Sequence, residues 1–225
     1  KYFPDMIPHF STAKSPMMMQ GAMVKTYYAQ KIGKEAKDIY SCAIMPCTAK
    51  KFESQRPEMR DSGYQDVDYV LTTREFIRMI REAGLDFKNL PEEEPYHALA
   101  DYTGAATIFG ATGGVMEAAI RSAYFLVTGK DLTDVDIAPV RGMEGVKEAE
   151  VDIEGLKLKV AVAHGLGNAR ALLNKVKKQI EETGKSEYGF IEIMACPGGC
   201  VGGGGQPYGS SIAKRARRGE GLYEE

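Results

Sequence analysis

Tryptophan is absent from the sequence, and histidine is limited to His9, His97 and His164. Zinc and mononuclear iron sites draw on histidine or clustered carboxylates, so this inventory turns attention to thiolate. No apolar run approaches the roughly 18–20 residues of a membrane span. Neither sign of charge is in excess: 29 Lys+Arg face 31 Asp+Glu, for a net charge of −2. A near-neutral chain gives no reason to expect nucleic acid as a bulk partner. The chain opens Lys1-Tyr2-Phe3-Pro4 without an initiator methionine, and shows neither the charged nor the apolar region of a signal peptide. It is expected to be a piece of a longer chain. Its expected compartment is the cytoplasm, with the periplasm as the alternative. Cysteine is scarce too: Cys42, Cys47, Cys196 and Cys200 are the 4 present. Three of them stand beside strand ends or glycine loops, which favours metal or cluster ligation over disulfides.

What is present begins with size. At 225 residues and 44% hydrophobic, the chain can bury a sizeable core, as one large domain or two lobes. Two stretches stand out. Met194-Ala195-Cys196-Pro197-Gly198-Gly199-Cys200-Val201 closes a strand-like run, 188–194, and continues through Gly202, Gly203, Gly204, Gly205, Gln206 and Pro207. Upstream, Ile44-Met45-Pro46-Cys47-Thr48-Ala49-Lys50-Lys51-Phe52-Glu53 repeats the order of apolar strand, Met-x-Cys and loop. Glycines cost backbone entropy and offer no packing, so some other gain must hold the second loop.

Around these ends the pattern alternates. Ser15-Pro16 starts a helix that runs through Met17, Met18, Met19 and Met23 to Ile32 and stops at Gly33. Residues 38–45 read as a buried strand, with Ala43, Met45 and Cys47 on one face and Cys42 and Ile44 on the other, so Cys42 is expected to be an ordinary buried thiol. A second strand over 67–72 leads to a helix over 74–83, capped by Thr73 and stopped by Gly84. The run Glu92-Glu93-Glu94 reads as a solvated face. Gly104, Gly110, Gly113 and Gly114 lead into a helix over 115–128; their amides suit either an anion cradle or a tight turn with close packing. A strand is expected over 135–142, then a hairpin over 148–163 turning at Glu154-Gly155, then a helix over 169–182. His164-Gly165-Leu166-Gly167 lacks the third glycine of a dinucleotide fingerprint, and His164 reads as a hydrogen-bonded turn residue. The basic tail, Lys214, Arg215, Arg217 and Arg218, reads as a solvated helix face. The expected fold is α/β, two lobes with mostly parallel sheets flanked by helices and a site at the carboxyl ends of the strands.

Cys47, Cys196 and Cys200 together offer three thiolates. A [4Fe–4S] cubane takes four ligands and commonly takes thiolate. Glycine amides beside Cys200 are expected to face such an anionic cluster, Lys50 is its nearby cation, and Met45 and Met194 are packing groups. A zinc site or idle thiols is the alternative from the residues alone.

The motifs MPCTAKKFE at 45–53 and MACPGGCVGGGGQP at 194–207 resemble two of the three signature motifs of the [FeFe]-hydrogenase catalytic domain. Ser11-Thr12-Ala13-Lys14-Ser15-Pro16-Met17, Phe109-Gly110-Ala111-Thr112-Gly113-Gly114-Val115-Met116-Glu117-Ala118-Ala119 and the His164-Gly165 turn match it in order. The resemblance covers nearly the whole chain, 1–225, and implies an H-cluster, a cubane joined by cysteine to a diiron unit with CO, cyanide and dithiolate ligands, in the cleft between two lobes. It implies Cys47, Cys196 and Cys200 as cubane ligands, with Cys200 the bridge. Lys50 and Ser15 would hold the cyanides, Met45, Met194, Phe109 and Gly110 would line the diiron pocket, and Ser11 would lie on the proton path. The implied reaction is 2H⁺ + 2e⁻ ⇌ H₂. Implied partners are an electron donor or acceptor such as ferredoxin, or accessory iron–sulfur domains, together with cluster maturation proteins. The family's first motif, a Cys-Cys-Pro-x-Trp run with the fourth ligand and the proton-donating cysteine, is expected upstream of Lys1, so this piece alone is expected to be inactive. A sensory relative, or an iron–sulfur assembly scaffold without a diiron unit, is the alternative.

Overall fold

The computed structural model describes residues 2–94, 96, 99, 104–132 and 140–224. The chain divides into two units, Lys1–Asp101 with Gly204–Pro207, and Tyr102–Gly203 with Tyr208–Glu225.

In the first unit, helix α1 (Pro16–Met23) starts as the sequence predicts: the Ser15 hydroxyl accepts from the Met18 amide and Pro16 occupies the first turn. The helix then widens into a π turn over Val24–Tyr28 before a last α-helical turn, α2 (Ala29–Lys31), and Gly33 ends it in the left-handed region at φ 67°. Lys25 in the π turn is buried and donates to the Gln65 carbonyl at 2.5 Å and to Asp68 at 2.8 Å. Strands β1 (Cys42–Met45) and β2 (Tyr69–Thr72) pair in parallel, with α3 (Ala49–Ser54) between them in sequence and α4 (Thr73–Glu82) following. Met17, Met18, Met59, Val67 and Val70 form the core, with Ala43 and Met45 packed on it. The methionine cluster is therefore half core: Met19 and Met23 stay exposed at 46% and 47%.

Among the described residues the second unit has a three-stranded sheet ordered β3 (Val146–Ile153), β4 (Leu156–His164), β5 (Phe190–Met194). The hairpin β3–β4 is antiparallel and β4–β5 is parallel. Its turn falls at Glu154 and Gly155, both with positive φ, which suits the right-handed twist of the flanking strands. β4 is central, and Val160, Ala161, Val162 and Ala163 are fully buried. Helices α5 (Gly104–Ile108), α6 (Gly114–Thr128), α7 (Leu166–Thr183) and α8 (Ile212–Glu220) complete the unit. α7 buries Ala169, Leu172 and Val176, one stripe at helical spacing. The core joins Met116 and Ile120 of α6 to Val140, Val151, Ile153, Val160 and Val162.

The α/β reading holds, with one parallel pair in the first unit and a mixed sheet in the second. Some details differ. Cys42 is exposed, not buried: Ala43 and Met45 form the face of β1 that packs on the core, and Cys42 and Ile44 share the opposite, exposed face. The cap of α4 is Thr72, one residue earlier than the sequence suggests; its hydroxyl accepts from the Glu75 amide, and Glu75 accepts from the Thr72 amide in return. The strand expected over 135–142 falls largely outside the described residues, and Val140 to Gly142 are not strand.

Candidate functional site

In the first unit, β1 delivers Met45 to a half-buried place against the core, and Pro46 turns the chain into Cys47, also half-buried. Gly204–Pro207 docks on this turn. The Gly205 amide donates to the Pro46 carbonyl at 3.0 Å, and its carbonyl accepts from the Arg74 amide at 3.0 Å. A Cβ on Gly205 would lie 2.8 Å from the Cys47 nitrogen, so only glycine allows this approach.

Lys50 and Ser15 converge on one carboxylate. The Lys50 ammonium donates to Glu53 Oε2 at 2.6 Å, and the Ser15 amide donates to Glu53 Oε1 at 3.3 Å. Burial works to raise the Glu53 carboxyl, but Lys50 and Ser15 outweigh it and hold it below the ordinary carboxylate value. Ser11 is exposed, and its hydroxyl accepts from the Ala13 amide at 3.2 Å.

In the second unit, β5 ends at Met194, opposite His164 of β4, and the Gly165 amide donates to the Met194 carbonyl at 2.8 Å. The cysteine loop follows, with Cys196 and Cys200 half-buried. It is fixed from several directions. The Gly198 amide donates to His164 Nδ1 at 2.9 Å, which makes Nε2 the protonated nitrogen, 3.2 Å from the Met143 carbonyl. The Thr112 amide donates to the Gly198 carbonyl at 3.1 Å, and the Val201 amide to the Gly110 carbonyl at 3.0 Å. From α8, Arg215 donates to the Pro197 carbonyl at 3.3 Å and Arg218 to the Val201 carbonyl at 3.0 Å. The basic tail is thus partly a brace on the loop and not only a solvated face. Phe109 and Gly110 are half-buried in the connection between α5 and α6.

The glycines have a different use from the one expected. The amides of Gly199, Gly202, Gly203 and Gly205 donate to the carbonyls of Cys196, Gly199, Cys200 and Pro46. A Cβ on Gly199 would lie 2.7 Å from the Thr112 nitrogen, and one on Gly202 would lie 1.9 Å from the Pro197 oxygen. These residues are glycine so that main chain can pack on main chain, and their N–H groups are spent on the protein itself.

The Gly113-Gly114 start of α6 is both of the things the sequence allowed. A Cβ on Gly113 would meet the Val140 oxygen at 1.9 Å, and one on Gly114 the Ile108 oxygen at 1.8 Å, so packing demands both glycines. The amides also cradle an anion, and it is the protein's own: Gly113 N and Met116 N each donate to Glu192 at 2.7 Å. Burial raises the Glu192 carboxyl, against the two amides and Lys147, which pull it down. Lys147 donates to the carbonyls of Thr112 at 3.1 Å and Gly142 at 3.0 Å. Its burial pushes the ammonium down to about 8. Sequence reasoning missed this pair. The signal was a carboxylate inside the apolar run Phe190-Ile191-Glu192-Ile193-Met194 and a lysine on the buried side of β3.

The family model for the iron only hydrogenase large subunit, C-terminal domain, matches residues 1–204. This chain belongs to that family. The periplasmic [Fe] hydrogenase large subunit of Nitratidesulfovibrio vulgaris is 52% identical over 206 residues, 92% of this chain and 48% of that one. The cytosolic iron-sulfur assembly component 3 of Rattus norvegicus is 36% identical, over 89% of this chain and 42% of its own. Among solved structures, an apo [FeFe]-hydrogenase HydA1 from Chlamydomonas reinhardtii, variant C377H, matches with a TM-score of 0.79 and 39% identity, covering 100% of this chain and 62% of that one. The chain therefore spans about half the length, or less, of these curated relatives.

The residues fit the family's iron–sulfur cofactor in kind. None of the four cysteines is in a disulfide, and thiolate is the usual donor to a cubane. Among the described residues no three His, Cys, Asp or Glu side chains gather as they would around a single metal ion. A cubane has no such requirement, since each thiolate takes a different iron corner. The matching thiols number three where a cubane takes four. Among the described residues no helix is long and apolar enough to cross a membrane.

Proposed function

We propose that this chain is cluster-bearing sequence of an iron-only hydrogenase that interconverts protons and electrons with dihydrogen. In this reading Cys47, Cys196 and Cys200 ligate the cubane, and Cys200 joins it to the diiron unit. Lys50 and Ser15 hold the cyanide ligands, Met45, Met194, Phe109 and Gly110 line the diiron pocket, and Ser11 carries protons. Bound there, the H-cluster supplies the redox chemistry of 2H⁺ + 2e⁻ ⇌ H₂. The chain's own share is to fix thiols, place a cation and pass a proton.

One observation carries the reading: two half-buried thiols sit on a loop that His164, Thr112, Gly110, Arg215 and Arg218 hold rigid, in a chain of this family. Such fixing is what an inorganic cluster needs, because its ligand geometry tolerates little displacement. Glu53 adds support. Its carboxylate already draws the Lys50 ammonium and the Ser15 amide to one anion, which is the demand a cyanide would make. Ser11 accepts from Ala13 and keeps its O–H as a donor. An electron carrier such as ferredoxin or accessory iron–sulfur domains, and cluster maturation proteins, are the partners this reading requires. The Nitratidesulfovibrio relative is named as periplasmic, so the periplasm stands beside the cytoplasm as the compartment.

The test uses the full-length protein. Cys196→Ser or Cys200→Ser abolishes hydrogen turnover; turnover retained by either variant would sink the assignment. A second reading, an assembly scaffold with a cubane and no diiron unit, draws on the 36% identity to the iron-sulfur assembly component. Lys50→Ala separates the two. A hydrogenase loses the infrared bands of CO and cyanide and keeps its cubane signal, whereas a scaffold has no such bands in the parent protein.

A further inference from the structure

Lys147 is 4% exposed. It takes an inward position on β3, in series with Ala149, Val151 and Ile153, which are apolar. Its ammonium has three donors and meets two carbonyls, Thr112 at 3.1 Å and Gly142 at 3.0 Å. Among the described residues its acidic neighbours, Glu192 and Glu144, act on it through space and not by contact. The Glu192 carboxylate is already engaged by the Gly113 and Met116 amides. Lysine is rarely buried without an ion-pair partner, and a methionine of similar length would fill the position with no charge to desolvate. What lies beyond the ammonium supplies a reason for it. The Thr112 carbonyl takes its hydrogen bond, and the Thr112 amide donates to the Gly198 carbonyl at 3.1 Å. Gly199, which precedes Cys200, packs on the same residue: its Cβ would lie 2.7 Å from the Thr112 nitrogen. Two hydrogen bonds and one residue of main chain thus lie between the ammonium and the loop that joins Cys196 to Cys200. Thr112, Gly113, Gly198 and Gly199 are all buried, so the charge is poorly screened along this route.

Resting on the cluster assignment above, we infer that Lys147 is the buried counter-charge of the iron–sulfur cluster bound by the Cys196–Cys200 loop, and that its ammonium raises the cluster's reduction potential through the intervening main chain. Lys147 is a tuning residue and not a ligand. Reduction adds one negative charge to the cluster, and a fixed positive charge nearby favours that form. At an effective dielectric constant of about 20, a unit charge about 10 Å away changes such an equilibrium about tenfold or more. A tenfold change is about 59 mV for one electron. The coupling is reciprocal, so reduction also strengthens the hold of Lys147 on its proton. Burial pushes the ammonium down to about 8, against Glu192 and Glu144, which pull it up. These two are the ionisable groups that act on it: Val162 lies opposite on β4, α6 brings Gly113, and α7 turns Ala169, Leu172 and Val176 inward. At neutral pH and below, Lys147 is charged in both oxidation states and the potential is level. Above about 8 the oxidised form releases a proton that the reduced form keeps, and the potential falls. Each reduction there moves one electron from the reductant to the cluster and up to one proton from solvent to Lys147.

The experiment is a potentiometric titration of the cubane, followed by electron paramagnetic resonance, from neutral to alkaline pH in full-length protein carrying the cubane without the diiron unit. Lys147→Met removes the charge at similar length, and Lys147→Arg keeps a charge that does not titrate in this range. The expected result at neutral pH is a negative shift of about 59 mV in the Met variant, with Arg near the parent value. As pH rises, the parent falls towards the Met value while the Met variant stays level. An unchanged potential in Lys147→Met at neutral pH overturns the inference. Equal negative shifts in Met and Arg also overturn it, since packing alone would then set the potential. A parent potential that stays level through the alkaline range, or a fall that the Met variant shares, overturns it too, and the parent profile decides even where a variant does not fold. A parent protein that binds no cubane refutes the underlying cluster assignment instead.

Discussion

Glu192 and Lys147 make the second unit's stability depend on pH in a way that can be measured. Lys147 loses its proton near 8 in the folded protein, against an ordinary value of 10.5. Between those values the unfolded chain holds a proton that the folded chain has released, so stability rises with pH across that window. Tyr223 and Tyr188, both pushed up to about 12, act the other way above 10.0, where the unfolded phenols ionise first. The Lys147 contribution is therefore read between about pH 8 and about pH 10 as a difference between proteins. Replacing Lys147 by Met should remove a slope of at most about 1.4 kcal/mol per pH unit from urea-melt stabilities. Equal slopes in the two proteins would mean the ammonium is not desolvated. Glu192→Ala is the complementary change. It strips two charge-assisted bonds from the start of α6, each worth about 1.5–3 kcal/mol, and an expected loss of roughly 3 kcal/mol would appear as a lower urea midpoint. These residues escape a sequence reading because a carboxylate in an apolar strand has no partner in its own segment. The amides it binds lie on Gly113 and Met116, far upstream.

The elements were more legible than their contacts. β1 and β5 both ended where apolar runs gave way to Met-x-Cys, and Gly33, Gly129 and Gly184 marked helix ends by their left-handed backbone. Those signals are local. The glycine run after Cys200 was not legible, since its reason lies in main chain that folds back on it from Thr112 and Pro46. The structure sorts these glycines, and the sorting can be tested. Gly199→Ala must accept φ 88° and a Cβ 2.7 Å from the Thr112 nitrogen, and Gly202→Ala places its Cβ 1.9 Å from the Pro197 oxygen. Overpacking of this kind costs about 1–3 kcal/mol or more. At Gly204 the nearest atom to a Cβ is Thr48 Oγ1 at 3.5 Å, an ordinary contact. Gly204→Ala should be neutral or gain up to about 1 kcal/mol, while the other two melt lower and carry less iron. Comparable melting temperatures in all three would show that the loop has room the structure does not give it. The capping box of α4 offers an independent check: Thr72→Ala should cost about 1 kcal/mol in thermal melts.

At the scale of the whole molecule the two units differ in how much sheet supports them. In the second, β4 is central, and Val160 to Ala163 are shielded from solvent on both sides. In the first, the sheet among the described residues is a pair of four-residue strands, with Ile44 47% and Tyr69 50% exposed. So small a sheet is marginal by itself and needs help from what packs on it. α1, with Met17 and Met18, gives part of that help. β1 also runs through Pro46 into Cys47, so a cluster ligated there would bind only the folded arrangement and stabilise it by linkage. The consequence is unequal. Stripping the iron from the full-length protein with a chelator should speed amide hydrogen exchange at 43–45 and 70–72 well before it affects 160–163. Protection lost equally from both sheets would mean that the cluster supports the second unit as much as the first. Protection unchanged at 43–45 would argue that Cys47 holds no ligand position at all, and would remove one of the three thiolates on which the proposed site rests.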